Sequence, residues 1–309
     1  MKKGIVYRST GSWYTVHSEG IFYDCRIKGK LRLKGIKSTN PVAVGDHVLF
    51  EVDRHATSPE GNITQIEERK NYIVRKSVNL SKQTHIIASN IDQVFLIITL
   101  NNPPTFPAFV DRFLVTAEAY QISAILLFNK IDSYKDFELK EVKEFQKIYQ
   151  DIGYTTFNIS ATKGIEIETV KSIMQDKVSM FSGHSGVGKS TLVNAISPGL
   201  NIKTAAISKQ HQQGMHTTTF AEMFALTKGI KIIDTPGIKG FGVVDMKPEE
   251  IGNYFPEFYK RKNKCKFHNC LHHNEPKCAI IEAVKAGKIS LSRYTSYLQM
   301  LEDDTPYRN

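Results

Sequence analysis

The spacing of apolar and polar positions divides the chain into three parts that favour different structures. From residue 1 to about 70, short apolar runs such as 21–23 and 47–52 stand between glycines, without a helical period. From about 71 to 243, apolar runs alternate with helix-like stretches, and from 244 to 309 a polar segment precedes further helices. The pattern predicts a multidomain chain with a β-rich first part and an α/β second part.

The first part, residues 1–70, fits a small β-barrel of the OB type. Such barrels are built from short strands and bind nucleic acid on one face. Basic residues form a ribbon within this part, at Lys28, Lys30, Arg32, Lys34 and Lys37. Alternation along a strand would place Lys30, Arg32 and Lys34 on one side. The ribbon is interpreted as an RNA contact, with a solvated strand face as the alternative.

The second part, residues 71–243, predicts a parallel sheet covered by helices. Buried-looking runs lie at residues 94–98, 124–128, 178–181 and 230–233, with helical patterns over 109–120 and 138–151. Strands that alternate with helices form such sheets, and ligands bind beyond the carboxyl ends of the strands. The polar motifs that follow these runs should therefore meet at one edge of the sheet.

A phosphate-binding loop follows the third run. The pattern G-x-x-x-x-G-K-[ST] and one further position are occupied by Gly183, His184, Ser185, Gly186, Val187, Gly188, Lys189, Ser190 and Thr191. The glycines allow successive backbone N–H groups to surround the α and β phosphates at the start of a helix. Lys189 would bring a positive charge to the β and γ phosphates, and Ser190 a hydroxyl to Mg²⁺.

A D-x-x-G motif, Asp234 to Gly237, follows the fourth run. Asp234 is predicted to reach Mg²⁺ through water, and the Gly237 N–H to meet the γ-phosphate. The polar segment 203–219 is interpreted as the first switch, with Thr218 as the candidate magnesium ligand.

Hydrolysis lacks one expected side chain. Ile238 stands where a Ras-like protein has a water-orienting glutamine, so we expect low intrinsic turnover and activation by a partner. His216 is the candidate to position or deprotonate the attacking water, beside Lys189 as the second catalytic residue. The alternative for His216 is a solvent-exposed histidine in the switch.

A base-reading motif, N-K-x-D, follows the second run and comprises Asn129, Lys130, Ile131 and Asp132. The Asp132 carboxylate would accept from guanine N1–H and from the exocyclic amine, a pair of donors that adenine lacks. Ser160 and Ala161 fit the companion S-A-T loop about 28 residues further on, with the Ala161 N–H on guanine O6. Together with the phosphate loop, this motif predicts binding of GTP and GDP.

The order of the motifs is rotated. In an ordinary Ras-like GTPase the phosphate loop precedes the base reader, whereas here the base reader comes about fifty residues earlier. A site depends on the loops assembled in space, so joining the old termini and opening the chain elsewhere preserves it. We therefore predict a circularly permuted P-loop GTPase domain.

A cysteine and histidine cluster marks the third part, residues 244–309. Three thiolates and one imidazole, the ligand set of a closed structural zinc site, come from Cys265, Cys270, His272 and Cys278. His268 and His273 are alternative ligands. Helices are predicted from Pro248 and over 280–288 and 290–302. Because this part is short and polar, we expect it to lack a core of its own and to depend on one structural Zn²⁺ ion.

Composition limits the class of protein and its partners. Across 309 residues, 41 Lys and Arg against 31 Asp and Glu give a net charge of +10, which favours a polyanionic partner such as nucleic acid. The basic run leading into the cysteine cluster, at Lys260, Arg261, Lys262, Lys264 and Lys266, is interpreted as phosphate-facing or as solvated. Neither a membrane span nor a signal-peptide pattern is present. We expect a cytoplasmic monomer without a membrane partner.

Taken in order, these motifs resemble the small ribosomal subunit biogenesis GTPase A family. The resemblance covers nearly the whole chain, including the barrel segment 41–48, and rests on the permuted order together with the Cys-x4-Cys-x-His-x5-Cys spacing. It implies a GTPase that binds the 30S ribosomal subunit and its 16S rRNA late in maturation. Hydrolysis would be stimulated by the subunit and coupled to release, with the barrel and the zinc domain contacting rRNA.

Two other functions remain open on the sequence alone. Ile238 favours a guanine-nucleotide-sensing RNA-binding protein with little turnover, whereas the complete set of phosphate and magnesium residues favours the enzyme. The third reading is a GTPase that acts on another RNA or at a membrane, although no lipidation motif or basic amphipathic helix supports the membrane version.

Overall fold

The computed structural model describes residues 1–27, 41–76, 84–198, 221–226, 229–234 and 246–303. The chain forms two compact units, of which the first comprises residues 1–94, 167–181 and 189–238 and the second comprises 95–166, 182–188 and 239–309. Several predicted features lie outside the described residues: the basic ribbon at 28–37, and His216, Thr218, Gly237 and Ile238 of the switch segments.

The first unit begins with a closed five-stranded barrel. Its strands are β1 (Lys2–Ser9), β2 (Tyr14–Ser18), β3 (Ile21–Ile27), β4 (His47–Val52) and β5 (Glu60–Ile66). They follow the order β1-β2-β3-β5-β4, and β4 pairs back with β1 to close the barrel. The β3–β5 pairing is parallel and the others are antiparallel. The predicted OB-type barrel is confirmed.

The barrel core follows from alternation along the strands. Inward positions carry apolar side chains such as Val6, Val16, Val48 and Phe50, all fully buried. Burial of one such side chain contributes about 1.5–3 kcal/mol relative to exposure. Outward positions on the same strands are polar or only half-buried, which is why the sequence of β1 and β2 did not stand out as strand.

A buried carboxylate joins the barrel to the hairpin that follows it, formed by β6 (Tyr72–Lys76) and β7 (Thr84–Ser89). Asp46 accepts hydrogen bonds from Arg69 Nε at 2.6 Å and Nη2 at 2.6 Å, and from Ser89 Oγ at 2.6 Å. Asp46 is completely buried, and an unpaired charge there would be strongly destabilising. Its hydrogen bonds with Arg69 and Ser89 therefore explain how a charged residue stands in this position.

The first unit continues with an α/β segment. It contains α3 (Ile167–Met174), β11 (Val178–Ser182), α4 (Lys189–Ile196), β12 (Glu222–Ala225) and β13 (Lys231–Asp234). Strands β11 and β13 are parallel, as the sequence predicted. β12 is antiparallel to β13 and pairs with β1 of the barrel through Arg8 and Glu222, so that barrel and sheet are continuous. The sequence pattern had not indicated β12.

The second unit contains further strands with their helices. These elements are α1 (Pro107–Ala119), β9 (Ser123–Phe128), α2 (Asp136–Ile152) and β10 (Thr155–Asn158), after β8 (Gln93–Ile98), which the two units share. β9 lies between β8 and β10 and is parallel to β10. Helix α1 starts with Pro107 in its first turn, where proline costs no hydrogen bond. At the start of α2, the Glu138 carboxylate accepts the Lys135 N–H at 2.8 Å.

The C-terminal part of the second unit has a substantial core, so the expectation that it lacks one was wrong. Its helices are α5 (Pro248–Ile251), α6 (Pro256–Tyr259), α7 (Ala279–Lys285) and α8 (Leu291–Asp303). Phe255, Phe258 and Tyr297 are buried at its centre, with ring centroids about 5 Å apart. Val115 of α1 belongs to the same cluster. The apolar residues are spread over four short helices, which hid the core from composition.

A buried ion triad fastens α8 to α1 and α6. Arg293 donates to Asp111 Oδ1 at 2.8 Å and to the two oxygens of Glu257 at 2.8 and 3.1 Å. Arg293 and Asp111 are completely buried, and Tyr149 donates a further bond to Asp111 at 2.9 Å. Burial alone would lower the pKa of the Arg293 guanidinium, but the two carboxylates outweigh this and raise it.

Arg293→Met is expected to destabilise the second unit by about 3–5 kcal/mol, because it leaves two carboxylates buried without a counter-charge. Urea unfolding followed by circular dichroism measures this free energy. Arg54→Met makes the same chemical change at an exposed position and should lose less than about 0.5 kcal/mol. Equal losses in the two variants would show that the triad does not stabilise the fold.

Candidate functional site

Asn129 connects three loops at the end of β9. The residue is 2% exposed, and its side-chain amide makes two hydrogen bonds within the second unit. Nδ2 donates to the Val187 carbonyl at 2.8 Å, and Oδ1 accepts the Ala161 N–H at 3.1 Å. A single side chain therefore holds the base motif, the S-A-T loop and the phosphate loop together.

The Ala161 N–H is engaged in this arrangement. The sequence assigned it to guanine O6, but here it donates to Asn129. A bound guanine would have to share this donor with Asn129 or displace it. Ser160 is completely buried beside it, and its hydroxyl accepts the Lys163 N–H at 3.1 Å, which fixes the turn of the loop.

Asp132 presents an ionised carboxylate to solvent. Ile131 and Asp132 lie in a one-turn helix after β9, and the Thr162 hydroxyl donates to Asp132 Oδ2 at 3.3 Å. Hydrogen bonding from Ser160 outweighs the opposing effect of desolvation and holds the pKa of the Asp132 carboxyl below its usual value. The group is therefore an acceptor throughout the neutral pH range, as a reader of two guanine N–H donors requires.

The loop between β8 and α1 supports the base motif, a role that no sequence pattern indicated. Lys130 has a left-handed backbone with φ of 67° and donates through Nζ to the Asn102 carbonyl. The Tyr134 hydroxyl accepts the Leu100 N–H at 2.9 Å and donates to the Asn129 carbonyl at 3.1 Å. These bonds hold the N-K-x-D turn from both sides. Tyr134, five residues after Asn129, had no distinguishing pattern.

Two glycines of the phosphate loop are required by their surroundings. Gly188 has φ of 102°, and a Cβ there would collide with the Asn129 amide. Gly183 has φ of 144°, and its Cβ would stand 2.7 Å from the Ile97 carbonyl oxygen. Both positions favour glycine on conformation and on space.

The other residues of the loop differ in exposure. Val187 is completely buried, whereas Ser185 and Gly186 are exposed. The His184 ring stacks on Phe109 of α1, with centroids 3.9 Å apart and planes inclined by 32°. Phe109 therefore supports the phosphate loop from the helix side, a contact that the sequence motif does not reveal.

The polar end of the motif lies in the first unit, where Lys189 begins helix α4. Ser190 is half-buried and Thr191 is exposed in the first turn, and Asp234 ends strand β13. Burial lowers the pKa of the Lys189 ammonium, although the nearby Asp234 opposes this. A hydroxyl, a carboxylate and a lysine beside a helix start fit phosphate with Mg²⁺, whose ligands are oxygens.

Cys265, Cys270, His272 and Cys278 form a second candidate site, and their ligand atoms lie within 4.8 Å of one another. Nδ1 of His272 lies 3.6 Å from Cys265 Sγ and 3.4 Å from Cys278 Sγ, and these two sulfurs are 4.0 Å apart. Tetrahedral zinc requires about 3.6 Å between sulfur and nitrogen and about 3.8 Å between sulfurs. The cluster therefore fits one zinc ion. His268 and His273 are exposed and lie outside it.

The loop that carries the zinc ligands is held by hydrogen bonds to Tyr294 and Glu275. Tyr294 of α8 donates to the His272 carbonyl at 2.8 Å. The Glu275 carboxylate accepts three backbone N–H groups at 2.7–3.1 Å. Burial opposes ionisation of Glu275, but these bonds lower its pKa. Helix α8 and the Glu275 carboxylate therefore hold the backbone of the ligand loop in place.

The protonation states of the cluster follow from its burial. Burial raises the pKa of the Cys270 thiol to about 12 and also raises that of Cys278, whereas it lowers the pKa of His272. The neutral imidazole is ready to bind metal, and the thiols must release protons to do so.

Among the described helices, none is long and apolar enough to cross a membrane.

Two family profiles match the chain. The profile described as RsgA N-terminal domain covers residues 3–59, and that described as RsgA GTPase covers residues 66–244. The small ribosomal subunit biogenesis GTPase RsgA of Christiangramia forsetii is 64% identical over 303 residues, 98% of this chain and 96% of that protein. The protein of the same name from Flavobacterium psychrophilum is 64% identical over 307 residues, 99% of this chain and 94% of that protein.

Two solved structures share the architecture. The crystal structure of YjeQ from Thermotoga maritima has a TM-score of 0.81 at 33% identity and covers 99% of both chains. The structure of YloQ, described as a circularly permuted GTPase, has a TM-score of 0.76 at 29% identity and covers 100% of this chain and 97% of that one. The likeness extends over the barrel, the α/β part and the C-terminal helices, and it confirms the permuted fold.

Proposed function

The chain belongs to the RsgA GTPase family, and we propose on this basis that it binds the 30S ribosomal subunit and assists its late maturation. Family membership makes the chain a GTP hydrolase with a circularly permuted fold. The structural observation that best supports nucleotide binding is the pair of Asn129 bonds, which hold the base and phosphate loops in one arrangement. Hydrolysis would be stimulated by the subunit and coupled to release.

In this proposal the second unit reads the base. Asp132 accepts the two N–H donors on guanine, and Lys130, held by the Asn102 carbonyl, lies along the base. Asn129 keeps Ala161 and Val187 in place, so that the loop which receives the base is positioned before nucleotide arrives. Preorganisation of this kind reduces the cost of binding.

Residues of the phosphate loop, the D-x-x-G motif and the first switch would bind the phosphates and Mg²⁺. The backbone of residues 183–188 surrounds the α and β phosphates, and the Lys189 ammonium neutralises the β and γ phosphates. Ser190, Asp234 and Thr218 would hold Mg²⁺, and the Gly237 N–H would meet the γ-phosphate. When bound, Mg²⁺ neutralises charge that develops on the phosphate oxygens. His216 is proposed to position the attacking water.

The domain bounds, the RNA contacts, the zinc ion, the location in the cell and the oligomeric state are also proposed. Domains are proposed at residues 1–70, 71–243 and 244–309, with 16S rRNA contacted by the barrel and by the C-terminal part. A net charge of +10 supports a polyanionic partner. One Zn²⁺ ion in the cysteine cluster would be structural, because four protein ligands leave no open position. A cytoplasmic monomer is proposed.

The decisive experiment compares GTP turnover by the chain alone and with purified 30S subunits, 50S subunits or bare 16S rRNA. We expect 30S subunits, but not 50S subunits or bare 16S rRNA, to raise the rate of GTP turnover at least tenfold. GTPases whose site is completed by a partner reach ~10³–10⁵-fold. Lys189→Ala should abolish the stimulated rate, because the β and γ phosphates lose their cation. Tight GTP binding without stimulation would instead support a nucleotide-sensing RNA-binding protein.

A further inference from the structure

A cavity of about 530 Å³ opens at the cysteine cluster in the second unit. The zinc ligands Cys265, Cys270 and His272 belong to its lining, so a bound zinc ion would occupy part of this volume. We call the cavity the zinc-side groove; the lining side chains that matter for its chemistry are Asn253, Lys262, Asn263, Lys266, Phe267 and His268. Zinc held by four protein ligands has no open position, so the ion itself offers nothing to a ligand in the groove. Pockets of about 300–1,000 Å³ accept small organic molecules, a range that includes a nucleotide.

Charge around the zinc-side groove is strongly positive. Residues 259–278 carry six basic side chains and a single carboxylate, Glu275. The Glu275 carboxylate accepts three backbone N–H groups and offsets only one of the six positive charges. Lys262 donates to Asn253 Oδ1 at 2.6 Å, which directs its ammonium along the groove wall. Glu249 also lines the groove and contributes a carboxylate to it.

Exposed aromatic rings stand among these cations. Phe267 is 39% exposed and Tyr259 is 57% exposed, although phenylalanine and tyrosine usually bury their rings. Lys266 Nζ lies 5.2 Å from the Phe267 ring centroid, and Lys262 Nζ lies 4.5 Å from that of Tyr259. Solvent-facing rings interleaved with lysines match the surfaces on which unpaired bases stack while lysines contact the backbone phosphates.

The polar groups of the groove fit the edge of a base. Asn253 and Asn263 offer amide donors and acceptors, and Glu249 can accept from an exocyclic amine. Such groups hydrogen-bond to base edges only when the base is unstacked from its helix, so they favour an unpaired nucleotide over a duplex. An acidic peptide would use the lysines but would leave the ring and the amides without a matching partner.

We infer that the zinc-side groove takes an unpaired RNA nucleotide, whose base stacks on Phe267 and whose phosphate contacts Lys262 and Lys266. This inference rests on the proposed RNA partner and adds to it the kind of RNA element that is recognised. The loop carrying Phe267 runs between zinc ligands Cys265 and Cys270, so bound zinc would hold the backbone on both sides of the ring.

Site-specific crosslinking to the zinc-loaded full-length chain tests the inference. The probe is a ten-nucleotide single-stranded RNA with one 4-thiouridine, compared with the same sequence as a duplex. We expect peptides from residues 259–278 to be crosslinked by the single strand only. Phe267→Ala should reduce this yield about tenfold, as expected for loss of one stacking contact. Phe137→Ala removes a more exposed ring, 59% against 39%, from α2 and should leave the yield unchanged.

Zinc content of each variant is measured in parallel, so that a lost crosslink with retained metal reflects the ring and not the fold. The absence of crosslinks within residues 259–278, or an unchanged yield in Phe267→Ala, would overturn the inference. Equal competition by poly-glutamate would do the same and would identify a surface for acidic proteins. The 30S stimulation assay fails or succeeds independently: stimulation without a groove crosslink removes this inference alone, whereas a groove crosslink without stimulation removes only the proposed function.

Discussion

Asp132→Asn is expected to transfer nucleotide preference from GTP to xanthosine triphosphate. The carboxylate offers two acceptors to the guanine N1–H and amine, whereas an asparagine amide offers one acceptor and one donor. Xanthine carries a carbonyl where guanine carries the amine, so the amide suits it. A site that leaves buried polar groups unmatched rejects the wrong ligand by about 10⁴-fold or more, and we expect a change of this order in the ratio of affinities.

Displacement of a fluorescent guanine nucleotide measures both affinities. Asp136→Asn is the matched control, because it makes the same change at an exposed carboxylate in the first turn of α2 and should alter neither affinity. The Thr162 hydroxyl that donates to Asp132 can also donate to the asparagine carbonyl, so the turn should survive. A variant that still prefers GTP would place base recognition outside the N-K-x-D motif.

Cys278→Ser is expected to reduce bound zinc from one ion per chain to nearly none. Structural zinc contributes apparent binding free energies of about 10–16 kcal/mol in small zinc domains at neutral pH, and loss of one thiolate forfeits a large share of this. The described core around Phe255 and Tyr297 should keep part of the C-terminal helices folded, so the loss of stability will be several kcal/mol and not complete. Metal analysis and thermal unfolding measure the two effects.

Cys25→Ser is the control for the zinc variant. Cys25 is completely buried in the barrel, where burial raises its thiol pKa to about 12, and it lies outside the metal cluster. Zinc content should therefore stay at one ion per chain. The pKa of the Cys270 thiol is also raised, so protons compete with the metal and apparent zinc affinity should fall as pH falls. Zinc retention in Cys278→Ser would point to His268 or His273 as a substitute ligand.

The sequence was most informative where function depends on neighbours in the chain. The phosphate loop and the cysteine spacing are short patterns whose chemistry dictates residue type at each position, and the helices and strands that carry them were found at the expected places. The permuted GTPase fold was predicted from the order of these motifs, and the barrel from short apolar runs between glycines.

Long-range polar contacts were not predictable from the chain. Arg293 and Asp111 are 182 positions apart, and each reads as an ordinary charged residue on an amphipathic helix. The support of the phosphate loop by Phe109 and of the base turn by Tyr134 is of the same kind. In each case tertiary packing brings the two residues together, and the pattern of apolar positions along the chain does not predict which residues will meet.

Helix α1 determines where the chain can be divided. Near its start Phe109 contacts the phosphate loop, and further along the helix Asp111 and Val115 belong to the triad and core of the C-terminal helices. A fragment that stops at residue 244, where the GTPase family profile ends, would keep α1 but lose Arg293. Asp111 would keep its bond from Tyr149 but lose its counter-charge, and Val115 would lose the core against which it packs. The C-terminal segment therefore stabilises the helix that contacts the phosphate loop, and we expect truncation at that boundary to destabilise the GTPase part.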